Sequence, residues 1–86
     1  MKRFTYTITD PLGIHARPAG LLARTAMTFR DTVVTIEKDG ASAKASQMMK
    51  LMGLGIRMGD AVTVTAEGAE EAAAIGAMEA FFRGNL

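Results

Sequence analysis

The chain has 86 residues, 49% of them hydrophobic and 22% charged, with ten Lys and Arg against nine Asp and Glu for a formal net charge of +1. That composition fits one small globular domain spanning residues 1–86 with a modest core, and it excludes disordered, collagen-like and coiled-coil classes. The basic residues are scattered, which argues against nucleic acid as a partner, and the absence of cysteine rules out disulfides, thiol chemistry and zinc-thiolate sites.

The opening Met1 to Asp10 alternates polar and apolar residues and lacks the apolar run of a signal peptide. No stretch approaches the roughly 18 apolar residues of a membrane span. A cytoplasmic protein without membrane insertion is therefore expected. Within residues 4–9, Phe4, Tyr6 and Ile8 share one face and threonines the other, the period-two pattern of a half-buried strand. Asp10-Pro11-Leu12-Gly13 reads as a turn. From Ala16 to about Met27, Ala19, Leu22, Ala23 and Ala26 recur at helical spacing, and Pro18 suits a first helical turn, where a missing amide hydrogen costs little.

Thr32 to Glu37 is rich in β-branched residues, and Lys38-Asp39-Gly40 signals a hairpin into a short strand at residues 41–44. Ser46 is placed to cap a short helix ending near Gly53, followed by a loop over residues 54–60. Ala61 to Ala66 reads as a fourth strand. Ala69 to Arg83 reads as a last helix, with Glu70 and Glu71 in its first turn, Ile75, Met78 and Phe82 facing inward, and Gly84 as the stop. The order β-α-β-β-α-β-α predicts an α+β domain, an antiparallel sheet with helices on one face. Order alone does not assign a function.

His15 is the only histidine, so imidazole pairs for metal are excluded. It stands just ahead of the first helix, where backbone N–H groups lack intrahelical partners and the positive end of the helix dipole favours an anion. A phosphoryl group on the imidazole finds donors in the amides around Ala16 to Pro18 and in the Arg17 guanidinium. An ordinary imidazole titrates near pH 6.5, so a neutral nucleophile is available at about pH 7. A lone histidine at a helix start is also commonly a cap or a solvated surface residue, and the pattern alone leaves both readings open. No Gly-rich phosphate loop carrying Lys and Ser or Thr is present, and neither a cofactor nor a metal is expected.

The segment Gly13-Ile14-His15-Ala16-Arg17-Pro18-Ala19 resembles the active-site signature of the HPr family, the histidine-containing phosphocarriers of the bacterial phosphoenolpyruvate-dependent sugar phosphotransferase system. Lys38-Asp39-Gly40, Leu54-Gly55-Ile56 with Gly59, and Val62-Thr63-Val64 before Glu67-Gly68 extend the similarity along the chain. The resemblance implies an open-faced β-sandwich, a four-stranded antiparallel sheet covered on one face by three helices. It implies that His15 takes phosphate on Nδ1 from phosphorylated enzyme I and passes it to IIA domains of sugar permeases, with Arg17 stabilising the phosphate and Ala16 and Pro18 opening the helix. A nitrogen-linked or dihydroxyacetone-linked phosphorelay would use the same histidine. A non-catalytic regulatory module is a third reading, which the intact histidine disfavours.

Many members of the family carry a regulatory serine at the start of the second helix. Aligned on Leu51 to Gly55, this chain has Gln47 at that position, so Ser46 is expected to cap the helix rather than serve a kinase. The second helix holds more apolar side chains than one face can bury, and Arg17, Gly20, Leu21 and Arg24 form a second stripe on the first helix. Leu21, Arg24, Met48, Met49 and Met52 are therefore expected to form the partner surface of a monomer, methionine being adaptable to several partners.

Overall fold

The computed structural model describes residues 1–86. Its elements are β1 (Lys2–Thr7), α1 (Ala16–Met27), β2 (Thr32–Lys38), β3 (Ala41–Lys44), α2 (Met48–Met52), β4 (Ala61–Gly68) and α3 (Glu71–Asn85). The strands form one antiparallel sheet in the order β1-β4-β2-β3, so β4 slots between the two strands that α1 connects. Register explains the layering. Phe4, Val64, Ile36 and Ala43 pair across the four strands on the face the helices cover. The next row, Thr5, Thr63, Glu37 and Ser42, points to the open face, because successive side chains alternate. The expected open-faced α+β sandwich is what forms.

Asp39 and Gly40 link β2 to β3 with φ of 52° and 85°, the pair of positive values that a two-residue type I′ hairpin needs. Phe82 of α3 is fully buried and meets Phe4 and Tyr6 edge-to-face at ring distances of 5.7 and 5.5 Å, fixing α3 over β1. From α1, Ala19, Leu22, Ala23 and Ala26 are buried, as their spacing predicts.

Several boundaries depart from expectation. β1 runs Lys2–Thr7 rather than 4–9, because its ladder with β4 spans Lys2↔Ala66 to Thr7↔Ala61, while β4 itself runs on to Gly68 through its pairing with Thr32 of β2. Ile8, 1% exposed, still joins the core just past the strand, held by Ile8 N–H to Asp60 O and Gly59 N–H to Ile8 O. Ser46 is not the cap of α2. The chain turns through Gln47 N–H to Lys44 O, and the Gln47 carbonyl accepts the first helical bond from Leu51, so Gln47 is the N-cap and Ser46 stands outside. In α3, Glu70 is the N-cap and Glu71 opens the helix, while Gly84 stays helical because Leu86 N–H bonds Phe82 O and no left-handed residue ends the turn.

Lys38 Nζ meets Asp60 Oδ2 at 2.8 Å and donates to Gly55 O at 2.9 Å, tying the hairpin to the α2–β4 loop. The Lys38 ammonium, with the Arg57 N–H bond, holds the Asp60 carboxyl below its usual range. A depressed carboxylate contributes stability above its unfolded pKa, and that contribution is lost as pH falls through the folded value. Asp60→Asn should therefore lower the melting temperature at neutral pH and flatten its fall below about pH 4. Parallel acid titrations of the two proteins would contradict this.

Candidate active site

The active turn is built from short-range bonds and closed by distant ones. Asp10 O accepts Gly13 N–H at 2.9 Å and Asp10 Oδ1 accepts Leu12 N–H at 2.8 Å, the paired signature of a β-turn with an Asx side-chain bond. Thr9 and Asp10 donate their N–H groups to Leu86 O, and Ile14 donates to Ile56 O at 3.1 Å. Ile14 is buried in the core, so the residue before His15 is anchored on both counts. Gly13 has a φ of +65°. His15 follows as the N-cap of α1 with extended backbone, φ −110° and ψ −173°, and its side chain makes no capping bond.

The half-buried His15 imidazole lines a cleft of about 140 Å³ with Asp10, Arg17, Pro18, Leu21 and Asn85. The His15 carbonyl accepts Ala19 N–H at 2.9 Å, while the N–H groups of Ala16 and Arg17 have no partner in the chain. Pro18 is buried and offers no donor. No acidic residue occupies the first turn of α1. Arg17 is exposed and belongs to no ion pair. The arrangement is therefore an uncompensated helix N-terminus, a free guanidinium and a nucleophilic imidazole sharing one opening, the components that receive and hold a phosphoryl dianion.

Sequence reasoning placed His15 and Arg17 in this opening and Ala16 and Pro18 at the helix start. It missed Asp10 and Asn85 as lining residues. Asp10 carried a turn signal and nothing more, and Asn85 reaches the cleft only because α3 runs one residue past Gly84.

Of the residues expected at the partner surface, Leu21 lines the cleft and is 39% exposed, Met49 is 78% exposed and Arg24 is exposed. Met48 and Met52 are half-buried and pack against the core. Gly20 of α1 faces α2, where a Cβ added to it would lie 3.8 Å from Met48 Sδ, an ordinary contact distance. Ser46 is exposed and its hydroxyl makes no hydrogen bond. It lines a separate cavity with Phe29, Arg30 and Lys44. No helix is long and apolar enough to cross a membrane.

The family model for the PTS HPr component phosphorylation site matches residues 2–84. The chain belongs to the HPr family. It is a phosphoryl carrier of the phosphotransferase system. The phosphocarrier protein HPr of Mycoplasma genitalium is 40% identical over 85 residues, covering 99% of this chain and 97% of that relative. An HPr crystal structure from Thermoanaerobacter tengcongensis is similar at 37% identity with a TM-score of 0.91, covering 98% of this chain and 93% of its own. A dimeric HPr from the same organism, also 37% identical, superposes with a TM-score of 0.76, covering 98% of this chain and 95% of its own. The HPr fold thus accounts for every element found here, and the segment around His15 falls within the matched span.

Proposed function

We propose that His15 accepts a phosphoryl group on Nδ1 from phosphorylated enzyme I and passes it to IIA domains of sugar permeases. The observation that carries this reading is the shared cleft, in which the only imidazole of an HPr chain lines the same opening as Arg17 at the start of α1, where the N–H groups of Ala16 and Arg17 have no partner in the chain. In the accepting step the nitrogen lone pair forms the N–P bond while the bond from phosphorus to the donor's leaving group breaks, the leaving group keeping the electron pair. The amides and Arg17 meet the charge on the phosphoryl oxygens without a proton transfer. Incubation with phosphoenolpyruvate and sugar-type enzyme I should add one acid-labile, base-stable phosphate. Transfer only from a nitrogen-type enzyme I would assign the chain to the other branch, and no transfer from either would leave a binding module.

The protein works in the cytoplasm as a monomer in this reading, because donor and acceptors must take turns on one exposed face. Leu21, Arg24 and Met49, with the exposed parts of Met48 and Met52, make up that face, apolar contacts beside positive charge that suit an acidic-rimmed partner. Two substitutions separate surface from support. Met49→Gln should change stability by no more than about 0.5 kcal/mol and weaken binding to enzyme I. Met48→Gln should cost about 1–2 kcal/mol, since part of that side chain is core. Denaturant titration beside calorimetric binding reads both, and unaltered enzyme I affinity in Met49→Gln would remove α2 from the interface. With Gln47 at the N-cap, serine phosphorylation there is not part of this reading.

A further inference from the structure

An opening suited to a dianion contains one group that opposes it. Asp10 lines the His15 cleft together with Arg17, and it is held there on three sides. Its N–H donates to Leu86 O at 2.9 Å, its carbonyl accepts Gly13 N–H at 2.9 Å, and its Oδ1 accepts Leu12 N–H at 2.8 Å. Oδ2 accepts no hydrogen bond, and neither Asp10 nor Arg17 takes part in an ion pair. The carboxylate and the guanidinium therefore share the cleft without neutralising each other. A phosphoryl group on His15 introduces roughly two further negative charges. It shares that opening with Arg17 and Asp10, at the helix end where the Ala16 and Arg17 amides have no partner in the chain.

We infer that Asp10 sets the phosphoryl-transfer potential of His15, its carboxylate disfavouring the phosphorylated state enough to keep the group transferable. The inference rests on His15 being the phosphoryl carrier. In the outgoing step the acceptor's lone pair forms the new bond to phosphorus, the P–N bond breaks and its electron pair returns to the imidazole nitrogen. Asp10 makes and breaks no bond and moves no proton. What changes for it is the local charge, since departure of the phosphoryl group relieves the repulsion. Arg17 alone would hold the product of the first transfer too well, whereas an opposing carboxylate offsets part of that hold.

Asp10→Asn isolates the charge, because asparagine keeps an oxygen that accepts Leu12 N–H and is equally at home in such a turn. Wild-type and variant proteins are equilibrated with enzyme I at fixed ratios of phosphoenolpyruvate to pyruvate, and the phosphorylated fraction is measured by native gel. The variant should favour the phosphorylated state by about three- to tenfold, with a difference that shrinks at about 1 M salt. Unphosphorylated variant should also bind inorganic phosphate more tightly by a similar factor, read from the Ala16 and Arg17 amide resonances. Should Asp10→Asn fold poorly, Asp10→Ser, which also keeps an oxygen acceptor, replaces it in both measurements. An unshifted equilibrium and unchanged phosphate affinity in a stably folded variant would overturn the inference and leave Asp10 as a turn former. Wild-type protein that accepts no phosphate would overturn the carrier reading and this inference with it.

Discussion

His15→Ala should abolish phosphate acceptance from enzyme I while leaving the fold intact. The chain has no second imidazole and no thiol to take over the nucleophile's part. The side chain itself makes no hydrogen bond, so its removal leaves no buried group unsatisfied and the melting temperature should move little. Helix α1 keeps its start, because the N-cap role of His15 is played by its backbone carbonyl to Ala19. Arg17→Ala should have a graded effect on the same assay. A charge-assisted hydrogen bond contributes roughly 1.5–3 kcal/mol, which corresponds to transfer slowed by about ten- to a hundredfold if the bond is realised in the transition state. Intact-mass measurement after a phosphoenolpyruvate incubation decides the first, and rapid-quench transfer the second. Persistent labelling of a folded His15→Ala protein would defeat the carrier reading.

The start of the first helix, with His15 just ahead of it, was legible in the sequence because it depends on local order. His15 before Pro18, with Ala19, Leu22, Ala23 and Ala26 at helical spacing, fixes a helix start that no distant contact needs to supply. The Asp39-Gly40 turn is legible for the same reason, since two positive φ values are a property of the turn itself. The first residues of β1 were not. Lys2 and Arg3 carry no apolar signal, and they are strand only because Ala66 and Thr65, more than sixty positions away in sequence, offer hydrogen-bond partners. Ser46 misleads for a different reason. A good capping side chain was available, yet the turn that leaves β3 spends its geometry on burying Ala45 and places the next residue, Gln47, at the cap. Asp10 and Asn85 join the cleft by tertiary closure through Leu86, a contact without any local pattern.

Gly13→Ala should destabilise the protein by about 3 kcal/mol or more and slow transfer beyond what the lost stability explains. The φ of +65° at Gly13 alone costs an L-residue roughly 1–2 kcal/mol. Gly55 has the same φ of +65° and nothing within 4 Å of an added Cβ, so Gly55→Ala measures that conformational cost by itself. At Gly13 the added Cβ would collide with the Ile56 carbonyl and lie 2.7 Å from Arg57 Cα, both backbone atoms of the loop that Asp60 and Lys38 hold in place. Relief requires the turn and the loop to separate, which breaks the Ile14 N–H bond to Ile56 O and adds roughly 1–3 kcal/mol for a buried group left unpaired. A domain of this size has a total stability of only about 4–13 kcal/mol at ordinary values per residue, so the variant should melt well below Gly55→Ala. The functional cost follows from the same movement. His15 lies two residues on, and displacing a reacting group by about 1 Å can lower a rate about a hundredfold. Chemical denaturation of both alanine variants, with transfer rates measured where each is fully folded, tests the claim. Equal stabilities would mean that the turn does not depend on the Gly13–Ile56 approach, and equal transfer rates would mean that the imidazole is positioned from α1 alone.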